Sequence, residues 1–266
     1  MILSFTLSLA ALLLFFWLLG NAFTLFWQDH FIFRPQKLPA NYEYTFEEPF
    51  TEIFLDTPDG GRLNALWFRR INAKGVVLFF HGNADNLARW GHLHHFFHHL
   101  GYDFFVYDYR GYGKSTGKRT EHLLYEDAMG MYQYLKQFYL ESQIVLFGRS
   151  MGSAFASRVA AESKVRMLIL ETPFYSMRRL FYAYYPFLPH LFFFKYHFSN
   201  HRYLQQVKCP IYIFQGTNDW VVPYKCAARL QKWIKPTDEF ITIPGGSHNN
   251  LLFYDIYNRK LQAFLE

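Results

Sequence analysis

Residues 144–152 read IVLFGRSMG, and this stretch decides the fold. The apolar run 144–147 is typical of a strand that is covered on both faces of a sheet. It leads into the pattern G-x-S-x-G, in which Gly148 and Gly152 permit a sharp turn around Ser150 because neither carries a Cβ atom. Small residues follow and favour a closely packed helix. The stretch therefore predicts a strand, a tight turn that exposes a serine hydroxyl, and a helix.

The same five-residue pattern occurs a second time, at 113–117 around Ser115. There it follows a loop-like stretch, and no helical pattern begins directly behind it. G-x-S-x-G indicates a nucleophile only between a strand and a helix. We therefore interpret Ser115 as a structural loop residue and Ser150 as the candidate nucleophile.

Short apolar or aromatic runs alternate with helical patterns along the chain. This alternation predicts right-handed crossovers and a doubly wound α/β domain with a mostly parallel sheet of about eight strands. Turn residues at 58–61 separate the first two runs, so the sheet should open with an antiparallel pair. The predicted strands are 51–56, 63–68, 76–80, 104–107, 144–147, 167–170, 211–214 and 240–243, and the predicted helices are 86–100, 121–139, 151–163, 224–234 and 251–264.

Asp219 and His248 each lie just past the end of a predicted strand, as Ser150 does. The carboxyl ends of parallel strands meet at one edge of a sheet, so we expect these three side chains to lie close together. In such a set His248 takes the proton from Ser150, and Asp219 orients the imidazole and stabilises its charged form. Glu171, which also follows a predicted strand, is a rival for the acid.

His81-Gly82-Asn83 ends the first predicted parallel strand. Acyl transfer needs two N–H donors aimed at the developing oxyanion. We expect these donors from the backbones of Asn83 and Met151, and we interpret His81 as a buried turn histidine. This chemistry requires no cofactor and no metal.

Five sequence blocks, in order, resemble the α/β-hydrolase superfamily from about residue 51 to the C-terminus. The chain is most similar to its small membrane-anchored α/β-hydrolase-domain proteins, which include protein depalmitoylases. Glu171-Thr172-Pro173-Phe174 also looks like their Glu/Asp-x-Pro-Phe block. The resemblance implies serine esterase or thioesterase chemistry without a cofactor. The five blocks are 81–83, 108–113, 148–152, 216–219 with 222–223, and 246–248.

The N-terminal segment 2–27 carries no ionisable side chain. At about 1.5 Å per helical residue, even 2–20 nearly spans a hydrocarbon core of about 30 Å. We predict a single-pass membrane anchor, with a cleaved signal peptide and a buried core helix as the alternatives. Arg34 and Lys37 follow the segment, which favours a cytoplasmic catalytic domain.

We divide the chain into an anchor or uncleaved signal at 1–28, a connecting segment at 29–50 and a hydrolase domain at 51–266. A lid insertion is expected at 174–206. Its part 174–198 holds 12 aromatic residues in 25. These rings either cap the core or form an apolar wall for an acyl chain or a lipid surface.

The composition excludes several classes of protein. Lys and Arg number 27 against 21 Asp and Glu, a net charge of +6, and aromatic residues make up 21% of the chain. So apolar a chain is neither disordered nor collagen-like, and two cysteines exclude a disulfide scaffold. Adjacent basic residues form only pairs, at 69–70, 118–119, 178–179 and 259–260, so we expect no nucleic acid partner.

Five histidines crowd the predicted helix 86–100. We interpret them as a solvated helix face, with adventitious metal binding as the alternative, because no H-E-x-x-H pattern is present.

The sequence thus predicts a serine hydrolase that cleaves acyl esters or thioesters of a lipid or an acylated protein at a membrane. The alternatives are a peptidase or amidase of the same fold and a non-catalytic membrane-bound interaction module.

Overall fold

The computed structural model describes residues 2–186 and 193–266. Eight strands form one sheet in the order β8-β7-β6-β5-β3-β4-β2-β1. Among the described strands β2 alone runs opposite to the rest, since it pairs antiparallel with both β1 and β4. The strands are β1 Thr51–Asp56, β2 Arg62–Phe68, β3 Val76–Phe80, β4 Asp103–Tyr107, β5 Ile144–Arg149, β6 Met167–Glu171, β7 Ile211–Gly216 and β8 Glu239–Ile243.

Helices cover both faces of this sheet, so the predicted doubly wound α/β architecture and its antiparallel opening pair are confirmed. Helices α4, α5 and α8 pack on one face, and α2, α3 and α9 pack on the other. The helices are α1 Ile2–Ile32, α2 Leu87–Trp90, α3 His94–His99, α4 Glu121–Leu135, α5 Gly152–Ala161, α6 Met177–Tyr184, α7 Asn200–Leu204, α8 Tyr224–Ala227 and α9 Asp255–Leu265.

The prediction of one continuous helix over 86–100 is wrong. A 3-10 turn, Gly91–Leu93, separates α2 from α3. Phe46 packs so closely here that a Cβ atom on Gly91 would lie 2.4 Å from its ring. The 3-10 segments Ala228–Trp233 and Leu251–Phe253 similarly replace parts of two other predicted helices.

Helix α1 is long and apolar enough to cross a membrane over its candidate span Thr6–Ile32, by length and composition. It continues four residues beyond the boundary predicted at 28. At the predicted boundary, the Gln28 amide donates to Phe193 O at 3.1 Å and accepts from Lys195 N at 2.8 Å. The end of α1 is thereby fixed to the lid segment.

The connecting segment packs on the face of the sheet that carries α2, α3 and α9. Arg34–Pro35 pairs in parallel with Ala84–Asp85 to form a second, two-stranded sheet. Further along, the Tyr44 hydroxyl donates to Asn64 Oδ1 of β2 at 2.8 Å. The segment therefore joins α1 to the loop that follows β3.

The lid region contains α6 and α7. Ser176 caps α6 by accepting a hydrogen bond from Arg179 N at 3.2 Å. The six residues 187–192 of the predicted lid lie outside the described residues.

Candidate active site

Ser150 lies in the turn between β5 and α5, with a φ of 50°. Few residues other than glycine adopt this left-handed conformation, and strained positions of this kind cluster at functional sites. The Ser150 amide donates to Glu171 O at 2.9 Å. The turn is therefore held against the end of β6.

The two glycines of this turn are required by close packing. A Cβ atom on Gly152 would lie 2.0 Å from Phe80 O, and one on Gly148 would lie 2.7 Å from Ser153 Cα. Both distances are far below van der Waals contact. The N-terminus of α5 thus sits directly on the end of β3, beside the predicted oxyanion loop.

Asp219 and His248 are brought together from the ends of β7 and β8. The distance from His248 Nδ1 to Asp219 Oδ2 is 2.9 Å, and the Asp219 side chain is buried. Val221 N and Val222 N donate to Asp219 Oδ1 at 2.8 and 2.7 Å, and Gln215 Nε2 donates to Oδ2 at 3.0 Å. These contacts fix the carboxylate in the orientation that holds the imidazole.

Ser150 Oγ and His248 are not joined by a hydrogen bond within residues 2–186 and 193–266. Such catalytic hydrogen bonds are often long in the absence of substrate and shorten when it binds. Arg149 instead connects the turn that carries Ser150 to the loop that carries His248. Its Nη2 donates to His248 O at 3.1 Å and to Asn249 Oδ1 at 3.0 Å.

Glu171, the rival acid, is engaged elsewhere. Its Oε1 lies 3.0 Å from Arg149 Nε, and its Oε2 accepts from the Tyr257 hydroxyl at 2.5 Å. All three side chains are buried. The carboxylate that contacts His248 is that of Asp219.

The predicted oxyanion donors lie beside Ser150. A Cβ atom on Gly82 would come within 4.0 Å of Ser150 Cβ. Neither Asn83 N nor Met151 N donates a hydrogen bond to any described residue. The Asn83 carbonyl, in contrast, accepts from Arg34 N and the Tyr112 hydroxyl, both at 2.8 Å. The loop is fixed through its carbonyl while its amide is left for a ligand.

Comparisons with known proteins identify the relatives of this chain. A family model described as serine aminopeptidase, S33, matches residues 71–201. An uncharacterized protein of Mycobacterium tuberculosis is 27% identical over 237 residues, which cover 87% of this chain and 84% of that protein. Alpha/beta hydrolase domain-containing protein 17B of Homo sapiens is 29% identical over 235 residues, covering 85% and 79%.

Among solved structures, an esterase of Pyrococcus furiosus superposes with a TM-score of 0.66 at 19% identity, over 88% of this chain and 97% of that structure. The chain belongs to the α/β-hydrolase superfamily. The similarity to the esterase structure shows the fold alone. The family model and the relatives support a hydrolytic enzyme of the α/β-hydrolase type.

Sequence reasoning missed Arg149 as a functional residue of this hydrolase. Its guanidinium joins the acid–base loop to the turn that carries Ser150, and its side chain is buried. The only sequence signal was a charged residue at the end of an otherwise apolar strand. Arg149 contacts the His248 loop through the backbone carbonyl of His248 and the side chain of Asn249.

A second missed residue, Asn200, links the lid region to the nucleophile turn. Its amide donates to Ser153 Oγ at 2.9 Å and to Phe174 O at 2.8 Å. The Ser153 hydroxyl donates in turn to Ser150 O at 2.6 Å. These buried hydrogen bonds connect the turn that carries Ser150 to Asn200 of α7.

The other G-x-S-x-G serine has a different environment. Asn64 N donates to Ser115 Oγ at 2.8 Å, and Ser115 Oγ donates to Asp108 O at 2.8 Å. These contacts agree with a structural role. His81 is fully buried, with its ring centroid 4.1 Å from that of Tyr109.

Proposed function

We propose that this chain is a serine hydrolase that cleaves acyl esters or thioesters through Ser150, His248 and Asp219. One observation carries the proposal. The carboxylate of Asp219, oriented by two backbone amides, contacts His248 Nδ1 at the sheet edge where Ser150 adopts its left-handed turn. That contact leaves His248 Nε2 as the ring nitrogen that faces the reaction.

The proposed reaction has two half-steps. His248 removes the hydroxyl proton as Ser150 Oγ attacks the acyl carbonyl, and it then protonates the departing alcohol or thiol. Asp219 stabilises the imidazolium that forms. The amides of Asn83 and Met151 donate to the oxyanion, and each such donor contributes about 10²–10³ in rate. Water activated by His248 then hydrolyses the acyl-enzyme.

Action at a membrane is supported by the end of helix α1. Asn83 Nδ2 donates to Ile32 O at 2.8 Å, and Arg34 N donates to Asn83 O at 2.8 Å. The chain leaving the candidate membrane span is thus bonded to the proposed oxyanion loop. In this arrangement the reacting carbonyl lies close to the lipid headgroups, as a lipid or acylated-protein substrate requires.

The lid supports the same proposal. Tyr184 donates through its hydroxyl to Val221 O at 2.8 Å and also contacts Trp220 O. Burial, with the nearby Asp219 carboxylate, raises the pKa of Tyr184. The lid helix therefore lies next to the acid loop, where its aromatic side chains form a wall for an acyl chain.

The orientation we propose is a single-pass anchor with the catalytic domain in the cytoplasm. Arg34 and Lys37 follow α1 directly and supply the positive charge that is typical of the cytoplasmic side.

Labelling with a fluorophosphonate probe tests the catalytic proposal. We expect the wild type to be labelled and Ser150→Ala to be unlabelled, because the probe reacts only with an activated serine. Ser115→Ala is the matched control, since Ser115 lies in the same sequence pattern. This control should keep its label. An unlabelled wild type would favour the non-catalytic interaction module.

A peptidase or amidase is the second candidate, favoured by the family model described as a serine aminopeptidase. A chain-length series of p-nitrophenyl esters, run beside aminoacyl p-nitroanilides, separates the two. We expect esters to be cleaved faster and longer acyl chains to be preferred, because the lid wall is aromatic. Faster cleavage of the anilides would favour the peptidase, and a preference for acetyl esters would contradict the acyl-wall interpretation.

A further inference from the structure

A second cluster of metal-ligating side chains lies away from the nucleophile. Glu48, from the connecting segment, meets His94 and His95 at the start of α3. One ligand atom from each of the three lies within 4.8 Å of the others. Two imidazoles and one carboxylate are a ligand set that zinc accepts in proteins.

His94 has the features of a ligand rather than of an ordinary core residue. Its side chain is fully buried, and its ring stacks on Phe68 with centroids 4.1 Å apart. Nδ1 lies 2.8 Å from Gly91 O, whereas Nε2 has no hydrogen-bond partner among the residues described. A histidine that binds a metal usually donates its other N–H to such a carbonyl.

The other two ligands are also oriented. His95 Nδ1 lies 3.3 Å from Glu48 Oε1, and His98 Nδ1 contacts Glu48 Oε2. His98 thus holds the carboxylate from the far side, as outer-shell partners do in metal sites. The interpretation of this helix as a solvated histidine face fails for His94 and His98, which the fold buries.

We propose that Glu48, His94 and His95 form a binding site for a divalent transition metal, Zn²⁺ in particular. Three protein ligands leave a fourth position for water. The cation compensates Glu48 and satisfies the buried Nε2 of His94, which otherwise carries a desolvation cost.

The role we assign to the metal is structural. It ties residue 48 of the connecting segment to α3, in addition to the contact that Glu48 already makes with His98. The site takes no part in the proposed acyl transfer, so metal binding and hydrolase activity are separate readouts.

Isothermal titration of the full, detergent-solubilised chain with ZnCl₂, after treatment with a chelator, tests the site. We expect one equivalent of Zn²⁺ to bind to the wild type and to raise its unfolding temperature. Affinity should fall at least about tenfold in Glu48→Gln and in His95→Ala, because each removes one ligand. His95 is partly exposed, so its replacement leaves the core intact.

His99→Ala is the matched control, since His99 lies on the same helix but is exposed. We expect this variant to bind Zn²⁺ as the wild type does. Circular dichroism checks that each variant is folded, and fluorophosphonate labelling should be unchanged in all of them. The proposal is overturned if the wild type takes up no Zn²⁺, or if Glu48→Gln and His95→Ala bind it as tightly as the wild type.

Discussion

At the residue scale, the two buried carboxylates near the nucleophile have different partners and therefore different roles. Asp219 is oriented by backbone amides and contacts the His248 ring. Glu171 is paired with Arg149, and through it with the carbonyl of His248. One carboxylate thus acts on the imidazole directly, and the other acts on the loop that carries it.

This difference predicts the effect of replacing each carboxylate. Asp219→Asn keeps the size of the side chain but presents the wrong hydrogen-bonding group to His248, so we expect kcat to fall by about 10⁴-fold. Glu171→Gln should lose far less, because Glu171 does not touch the imidazole. Steady-state kinetics on a p-nitrophenyl ester measures both. Near wild-type activity in Asp219→Asn, or an equal loss in Glu171→Gln, would remove Asp219 from its proposed role.

At the scale of elements, the eight strands were predictable because each one is a short run rich in apolar residues between turn signals. Their observed ends differ from the predicted ones by no more than about two residues, the usual precision of sequence patterns. The helices were less predictable. Gly91 forms a 3-10 turn because Phe46, which is 45 positions earlier in the chain, packs against it, and no local pattern contains that contact.

The same limit applies to the site. The sequence predicts Ser150, Asp219, His248, Asn83 and Met151 as site residues because each follows a strand or belongs to a local motif. Arg149 and Asn200 were missed because each forms its hydrogen bond with a residue far away in the sequence. His248 is 99 positions from Arg149, and Ser153 is 47 positions from Asn200. A buried hydrogen bond between distant elements leaves no periodic signal in either one.

At the scale of the whole molecule, helix α1 and the loop that follows Asp219 both contact the lid region. Phe193 N donates to Asn21 Oδ1 of α1 at 2.8 Å, and the ring of Phe193 lies 5.8 Å from that of Trp17. The lid segment therefore lies alongside the candidate span, at the level of its apolar residues. Tyr184 extends the contact to the loop that follows Asp219.

Several apolar side chains beside these contacts are exposed, at the place where the bilayer surface would lie in the proposed orientation. Trp220 is 86% exposed, and Tyr184, Phe193 and Val221 are each about half exposed. We refer to these four residues as the apolar rim. Burying one large apolar side chain contributes roughly 1.5–3 kcal/mol, and about 1.4 kcal/mol is tenfold in an equilibrium constant. Insertion of the apolar rim into lipid would therefore hold the entrance of the proposed active site at the membrane surface.

We therefore expect Trp220→Ser in the full chain, reconstituted into liposomes, to cleave a bilayer-embedded acyl ester roughly tenfold more slowly than the wild type does. Its rate on a soluble p-nitrophenyl ester should stay unchanged, because the Trp220 side chain is exposed to solvent whereas Asp219 is buried. Ile71→Ser is the matched control: Ile71 is 88% exposed and follows β2, at the opposite edge of the sheet. An equal loss on both substrates would assign Trp220 to the chemistry instead, and no loss on either would separate the rim from the membrane.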